Sequence, residues 1–432
     1  MKKPAIITAI ALALLLAGCA QQTRQETIKA TPGEPDSPKP VRVSAEGADA
    51  AEPSIAPGAD GTIYVAWVEH RENKEADVML AHVDRDGQAK GSPVRVNPNT
   101  GEATAWRGDP PTVAVAPDGT IYVGWTARIA DVQGHANDLY LSASRDAGKT
   151  FGPPVKVNDD GKKVTHAMHS LAVGADGRVY VVWLDERNVV MPPPGKGGKM
   201  EHMEANREVF FASSDDGGRS FGANQRLGQE ACPCCKTAVA ASKDGRVYAS
   251  WRQVLPGEFR HIALAASTDG GKTFSKPTIV SDDRWMTASC PVSGPALSTA
   301  QTDGALRVVW YTEGDKGEPG LYWAESRDDG KTFSESKPFA KGQARGNPYL
   351  LANAQVSPTV IWESNATGSP RVMSAPLANE AAVSTLANTG ELPAAALSGD
   401  RLFVGYISKV NDRRSIWVVR RAFWVAQTKP AA

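Results

Sequence analysis

Short apolar segments that end in an aromatic residue recur along the chain. Six copies end in tryptophan, namely TIYVAW at Trp67, TIYVGW at Trp125, RVYVVW at Trp183, RVYASW at Trp251, LRVVW at Trp310 and TVIW at Trp362, and a seventh, RLFVGY, ends at Tyr406. Most copies follow an Asp-Gly turn, and another short apolar run precedes that turn. Because Asp-Gly between two apolar runs favours a tight hairpin, each repeat is predicted to start as a β-hairpin.

A second motif ends the third predicted strand of four repeats. Its copies are SRDAGKTF (Ser144–Phe151), SDDGGRSF (Ser214–Phe221), STDGGKTF (Ser267–Phe274) and SRDDGKTF (Ser326–Phe333). Ser and Asp side chains in such a turn can bond nearby backbone groups, and Gly accepts the tight backbone conformation. A fourth apolar strand, such as PPVKVN or KPTIVS, follows each copy. Repeated units of four short strands are typical of a β-propeller.

The turn motif resembles the Asp box, SxDxGxTF, of the BNR-repeat, sialidase-like β-propellers, and the resemblance covers residues 39–423. It implies an all-β propeller of four-stranded blades, with the Asp-box turns on the face opposite the ligand site. The segment Lys39–Ser44 (KPVRVS) reads as a fourth strand without a preceding repeat, whereas the last repeat ends after its third strand, Ser415–Phe423. We therefore expect the N-terminal strand to close the last blade. This favours seven blades, and six remain open because the last two repeats are divergent.

The first 19 residues are typical of a signal peptide. A positively charged start precedes an apolar run from Ala5 to Ala17, which is too short to span a bilayer comfortably. The segment ends LAGC at Cys19 and resembles a bacterial lipobox, which implies lipid on Cys19. Ala20 in place of Asp favours the outer membrane by the same resemblance, with the protein facing the periplasm or the surface. Residues 20–38 predict a flexible tether and 424–432 a C-terminal tail.

The charge balance argues against a nucleic-acid partner. The chain carries 48 Lys and Arg against 48 Asp and Glu, so its formal net charge is zero. A neutral chain gives no reason to expect nucleic acid or an anionic membrane surface as a partner. The partners we expect are the membrane through the N-terminal lipid, a small-molecule, glycan or metal ligand, and an envelope protein.

Sulfur and imidazole side chains cluster in the loops that enter the inner strands. Cys232, Cys234 and Cys235 (CPCC) precede the inner strand of the fourth repeat, and Cys290 precedes that of the fifth. The third repeat enters its inner strand through His166 and His169, and the long loop after Trp183 adds Met200, His202 and Met203. These loops are expected on the upper face, opposite the Asp boxes.

Two interpretations of this cluster remain open. Thiolate and imidazole ligands suit copper(I) or zinc, so the cluster is a candidate metal site. In an oxidising compartment, a disulfide between Cys290 and one CPCC cysteine would instead join adjacent blades, and the other two could form a second bridge, such as Cys234–Cys235.

Rim residues near this cluster are candidate ligand contacts. Arg252 and Arg260 beside Trp285 could bind a carboxylate or a sugar, with Asp282 and Glu186 nearby.

The sialidase family implies three arginines on the substrate carboxylate, a Tyr nucleophile assisted by Glu, and an acid/base Asp. The first-blade position that carries an arginine in the family reads ADAAEPSIAP (Ala48–Pro57) here and contains none. Tyr349 could take the place of the nucleophile, with Glu313 or Glu363 as its helper.

The sequence thus predicts a cell-envelope lipoprotein propeller whose upper face binds a ligand at a Cys/His/Met cluster, through a soft metal or a redox-sensitive disulfide. A sialidase-like glycoside hydrolase and a protein-interaction scaffold are the alternatives.

Overall fold

The computed structural model describes residues 39–72, 75–130, 132, 136–190, 206–287, 291–299, 303–314, 319–410 and 412–422. The predicted signal peptide, the tether, the C-terminal tail, Cys19, Cys290 and the Met200–Met203 segment lie outside these residues. Within the described part, no helix is both long and apolar enough to cross a membrane.

The described residues form an all-β structure of short antiparallel sheets. The chain begins with β1 (Val41–Arg42). The next sheet contains β2 (Asp49–Pro57), β3 (Ile63–His70), β4 (Ala76–Val83) and β5 (Ala89–Arg95), and the following one β6 (Thr112–Val115), β7 (Ile121–Arg128), β8 (Asn137–Ser144) and β9 (Val155–Lys156).

The middle of the chain forms one sheet of nine strands. Its first half contains β10 (His166–Val173), β11 (Val179–Asp185), β12 (Arg207–Ser214) and β13 (Gln225–Ala231), and its second half β14 (Ala238–Ala241), β15 (Val247–Leu255), β16 (Phe259–Ser267), β17 (Thr278–Ile279) and β18 (Trp285–Met286). A single residue pair, Ala231 with Gln253, joins β13 to β15.

Three four-stranded sheets complete the structure. They contain β19 (Ala296–Thr299), β20 (Leu306–Thr312), β21 (Gly320–Ser326) and β22 (Lys337–Phe339); β23 (Ala344–Leu351), β24 (Thr359–Ser364), β25 (Arg371–Pro376) and β26 (Ser384–Ala387); and β27 (Glu391–Ser398), β28 (Arg401–Val410) and β29 (Arg413–Ala422) with β1. The N-terminal strand β1 pairs antiparallel with β29, Val41 opposite Val418. The predicted pairing of the N-terminal strand with the last repeat is therefore present.

The hydrophobic core is divided into clusters that lie between consecutive sheets. The first Asp-box aromatic, Phe151, packs against a cluster that contains Tyr64 and Leu80 of one sheet with Ile121 and Trp125 of the next. Phe221, Phe274 and Phe333 pack in the same way against the three following clusters. The six repeat tryptophans are buried. Each sheet thus covers its apolar faces with its neighbours, which is the packing of a β-propeller.

The Asp boxes have the structural role that the sequence predicts. In the first box Ser144 donates to Asp146 Oδ1 (2.7 Å), and the Thr150 amide and hydroxyl donate to the same carboxylate (2.9 and 2.6 Å). The Gly148 amide donates to Ser144 Oγ (2.9 Å). Equivalent bonds recur at Asp216, Asp269 and Asp328. Each box therefore closes its turn by interactions within seven residues.

Candidate functional site

A central cavity of about 320 Å³ lies where the inner strands of the sheets converge. Its lining includes Glu52, Pro53, Arg107, Pro110, Ser170, Lys236–Val239, Pro295–Leu297, Asn347–Leu351, Glu363, Leu392, Pro393 and Ala395. Most of these residues belong to the first strand of a sheet or immediately precede it. A mainly apolar cavity with a few convergent charged groups is the usual form of a small-molecule site.

Local bulges place side chains at this cavity. The register of the inner strand shifts beside Glu52 (φ 54°), Met168 (φ 57°), Gly346 (φ 69°) and Leu392 (φ 46°). Three of these four are not glycine, although a positive φ is unfavourable for them. Bulges re-aim side chains and are frequent next to active sites. Four inner strands thus depart from regular alternation beside the cavity.

Two carboxylates lie beside the guanidinium of Arg107, and of these Glu363 lines the cavity. Arg107 lies with Nη1 3.1 Å from Glu391 Oε2 and Nη2 3.7 Å from Glu363 Oε2. Glu363 is buried and accepts a bond from the Leu392 amide (2.9 Å). Burial raises the pKa of Glu363, partly offset by the Leu392 amide and Arg107. Glu391 also lies 3.4 Å from Lys409 Nζ.

Of the residues predicted for catalysis, the structure brings two to the cavity. Tyr349 and Glu363 both line it, and burial raises the pKa of the Tyr349 phenol to about 12. Glu313 is instead exposed and accepts a bond from the Tyr311 hydroxyl (2.6 Å). The Tyr349–Glu363 combination therefore shares a site, and Glu313 is engaged by a different tyrosine.

A partly buried ammonium group adds positive charge to the cavity. Lys236 Nζ donates to the Pro110 carbonyl (3.0 Å) and lies 3.9 Å from Asp109 Oδ1. Burial lowers the pKa of Lys236 to about 8, against the opposing effect of Asp109. The same Asp109 oxygen accepts from the amide of His169 (3.2 Å) and lies 3.1 Å from its Nδ1.

The CPCC turn directly precedes Lys236 and is buried. Cys232 and Cys235 are free, with their sulfurs 3.4 Å apart, and Cys234 is disulfide-bonded. The suggested vicinal Cys234–Cys235 bridge is therefore not formed. The predicted partner Cys290 lies outside the described residues.

The predicted metal ligands fall into separate places. The three CPCC sulfurs lie within 4.8 Å of one another, and a second group of that kind contains His166, Asp160 and Asp185. His166 Nε2 lies 3.1 Å from Asp160 and 3.7 Å from Asp185, whereas His169 pairs with Asp109. The histidines of this loop thus face carboxylates, and a disulfide-bonded Cys234 offers no thiolate.

The predicted ligand-binding arginine Arg252 is not on a rim. It is fully buried, donates to the carbonyls of Ser293 (3.1 Å) and Tyr311 (2.7 Å), and stacks on Trp285 at 4.8 Å. Arg260 pairs in register with Trp285 and lies 3.2 Å from Glu258. Trp285 thus contacts Arg252 through its ring and Arg260 through the pairing of β18 with the end of β16.

The other two predicted ligand contacts lie at the periphery. Asp282 is exposed, 3.9 Å from His261 Nε2. Glu186 accepts from the Thr165 amide (2.9 Å) and forms an ion pair with Arg207. Neither belongs to the lining of the central cavity.

The fold and its central cavity define the class of the protein, a β-propeller with a candidate ligand site at its centre. The BNR repeat-like domain family matches residues 61–349, and the chain belongs to this family. No curated protein matches the chain.

Several solved structures have a similar fold. They include a protein of unknown function from Dyadobacter fermentans (15% identity, 90% of this chain and 99% of that one, TM-score 0.53). An alpha-L-arabinanase from Penicillium chrysogenum is also similar (12% identity, 90% of this chain and 99% of that one, TM-score 0.51). So is an alpha-L-arabinofuranosidase from Fusarium graminearum (11% identity, 90% of this chain and 98% of that one, TM-score 0.51). At these identities the similarity shows the fold alone.

The sequence did not single out Glu52, Arg107 and Lys236, which line the cavity, or Glu391, which pairs with Arg107. Glu52 lies in β2 and Glu391 in β27, whereas Arg107 and Lys236 precede β6 and β14, and of the four Lys236 alone adjoins the CPCC turn. Their position close to the start of an inner strand could have identified them as candidates for the central site.

Proposed function

We propose that the chain is a saccharide-directed enzyme of the glycoside hydrolase type, with its active site in the central cavity. The observation that carries this proposal is the placement of Glu363 and Glu391 on the single guanidinium of Arg107. Glycoside hydrolysis generally uses a pair of carboxyl groups, one as acid and one as base or nucleophile.

The two carboxyl groups have different environments, which suits this division of roles. The buried Glu363, with its raised pKa, would protonate the leaving glycosidic oxygen. Glu391, paired with Arg107 and Lys409, would act as the carboxylate that activates water or attacks the sugar carbon. The ring of Tyr349 offers an apolar surface for a sugar ring in the same cavity.

The cavity gives less support to the sialidase subtype. A sialidase clamp needs three arginines, and among the lining residues that the structure describes Arg107 is the single arginine. Lys236 supplies the other positive charge. A saccharide other than a sialoside is therefore the first substrate class to test.

Turnover by the purified full chain tests this proposal. A panel of fluorogenic glycosides should include α-L-arabinofuranosides and sialosides, with arabinose oligomers tested by chromatography. We expect Glu363→Gln to lower kcat at least about 100-fold, the usual contribution of a general acid. Glu313→Gln, outside the cavity, is the matched control and should keep full activity. Absence of turnover together with absence of saccharide binding by calorimetry would overturn the proposal.

A second candidate function is binding of a soft metal by Cys232 and Cys235. The two free sulfurs lie 3.4 Å apart, so a small rearrangement would let both contact one copper(I) or zinc ion. Competition with a copper(I) chelator tests this. One equivalent of copper or zinc in the wild type that is lost in Cys232→Ser and in Cys235→Ser would support this function. A wild type that retains no metal would exclude it.

We also propose that the propeller has seven blades and that β1 closes it. The support is the β1–β29 pairing and a hydrophobic cluster that combines Ile63 and Trp67 of β3 with Phe403 of β28 and Ile416 of β29. An experimental structure in which these sheets do not pack together would contradict seven-fold closure.

Attachment of the protein to the envelope by lipid on Cys19 remains a proposal from the lipobox. Palmitate labelling and membrane fractionation of the full chain test it. Cys19→Ala should abolish the label and release the protein from membranes.

A further inference from the structure

The buried side chain of Arg252 has an unusual set of neighbours. It is 0% exposed, its Nη1 has no hydrogen-bond partner, and no carboxylate among the described residues lies within 4 Å of it. An unpaired buried guanidinium is costly, so such a charge normally has an anion beside it. The charge of Arg252 also acts on the carboxyl group of Asp283. That carboxyl group instead accepts a hydrogen bond from Trp310 Nε1 (2.7 Å), and burial raises the pKa of Asp283.

The anion that the geometry offers to Arg252 is a sulfur. The backbone of Cys232 binds that of Arg252 (N to O, 2.8 Å), which brings the CPCC turn against the arginine. The Arg252 side chain lies beside the Cys235 sulfur, and the Cys232 and Cys235 sulfurs are 3.4 Å apart. With the guanidinium beside Cys235, we assign Cys235 as the acceptor and Cys232 as the thiol donor of this contact.

We propose that Cys232 and Cys235 form a reversible dithiol–disulfide pair in which Arg252 is the counterion of the Cys235 thiolate. Their spacing is that of a Cys-x-x-Cys motif, and both sulfurs already lie near contact distance. The two residues are only 2% and 1% exposed, so the oxidant must be small, and a hydroperoxide fits that limit.

The chemistry balances with hydrogen peroxide as the two-electron oxidant. The Cys235 thiolate attacks one peroxide oxygen, the O–O bond breaks, and the products are a sulfenic acid and hydroxide. The Cys232 thiol then loses its proton and its sulfur attacks Cys235, so that the S–S bond forms and the oxygen leaves as water. An external dithiol reverses the pair by thiol–disulfide exchange and becomes a disulfide itself.

Two measurements on the full chain test the pair. The first is the thiolate absorbance at 240 nm as a function of pH. We expect a step below the pKa of a free thiol, about 8.5, in the wild type. The step should be lost in Cys235→Ser, and it should move to higher pH in Cys232→Ser because that variant keeps the thiolate but loses its thiol donor. Arg252→Met should also move the step to higher pH.

The second measurement follows the tryptic peptide 227–236, which contains Cys232 and Cys235 together with the disulfide-bonded Cys234. After peroxide, alkylation of the denatured protein should no longer label Cys232 or Cys235, and a dithiol should restore both labels. Labels that persist after peroxide, a sulfinic acid on Cys235 without loss of the Cys232 label, or a wild type without a thiolate step below pH 8 would overturn the proposal. Copper or zinc that blocks alkylation before any oxidation would assign the pair to metal binding instead.

Discussion

Val41 on β1 pairs with Val418 on β29, although 377 residues separate them in the chain (418 − 41). The next residues strengthen the junction, because the Val43 amide donates to the Ile416 carbonyl (2.9 Å) and the Ile416 amide donates to Ser44 Oγ (3.1 Å). Val43 is 5% exposed and packs in the cluster that contains Trp67. The N-terminal segment is thus part of the sheet that contains the C-terminal strand.

Because β1 and β29 pair at this junction, a substitution in β1 or next to it should lower the stability of the fold although it lies far from the cavity. Val43→Ala should lower the free energy of unfolding by about 2 kcal/mol, since a buried valine side chain is worth about that amount. Lys39→Ala, at an exposed position, is the control and should change it by less than about 0.5 kcal/mol. Urea unfolding at neutral pH measures both, and equal midpoints for the two variants would mean that the β1–β29 junction does not stabilise the fold.

The Asp boxes predict a loss of stability in acid. Hydrogen bonds from Thr150 and Thr332 lower the pKa of Asp146 and Asp328 from 3.8 to about 2. A lowered folded-state pKa contributes stability that is present above the unfolded value and is lost as the pH falls through the folded value. We therefore expect the melting temperature to fall between about pH 4 and pH 2.

Single variants separate this effect from general acid unfolding. Asp146→Asn should already be less stable at pH 7 and should lose less on acidification, because one titrating group is gone. Glu335→Gln, an exposed neutral substitution, should follow the wild-type curve. A wild type whose melting temperature is constant down to pH 2 would contradict the role of these carboxylates.

The charges around Glu363 predict opposite shifts of its pKa. Arg107 lowers the pKa of Glu363 and Glu391 raises it. If Glu363 is the general acid, the basic limb of kcat/KM should move to higher pH in Arg107→Ala. In Glu391→Gln, which lacks the proposed base or nucleophile, the pKa of the Glu363 carboxyl followed by NMR should instead fall. Shifts in the same direction in the two measurements would indicate that another group controls that limb.

The close approach of a strand to a repeat tryptophan predicts a steric effect. A Cβ at Gly228 would lie 2.5 Å from the ring of Trp251, whereas a Cβ at Gly222 would lie 3.7 Å from the nearest atom, the Ser213 carbonyl oxygen. Gly228→Ala should lower the free energy of unfolding by about 1–3 kcal/mol, because Trp251 is buried and cannot move aside. Gly222→Ala, in the connection between β12 and β13, is the control. Denaturant unfolding measures the difference, and equal stabilities would show that the ring can shift.

Features that depend on residues close together in the chain could be predicted from the sequence, and features that depend on distant residues could not. The Asp boxes were predicted correctly because Ser144, Asp146 and Thr150 interact within one turn. Tyr349 was named with Glu313 or Glu363 from the resemblance to sialidases, and Tyr349 and Glu363 both line the cavity. Lys236 was missed, because its role depends on burial beside Asp109, which is 127 residues away in the chain (236 − 109).

The sequence by itself determined the repeating hairpins, the tight box turns and the buried tryptophan of each repeat, since these depend on neighbouring residues and on strand periodicity. Only the tertiary structure decided which polar groups reach the cavity, because the bulges at Glu52 and Leu392 alter the alternation of the inner strands. It also decided that Arg252 is buried beside the Cys232–Cys235 pair and not exposed for a ligand. The physical reason is that packing between sheets sets the burial and the electrostatic environment of a side chain, and these contacts join residues that are far apart in the chain.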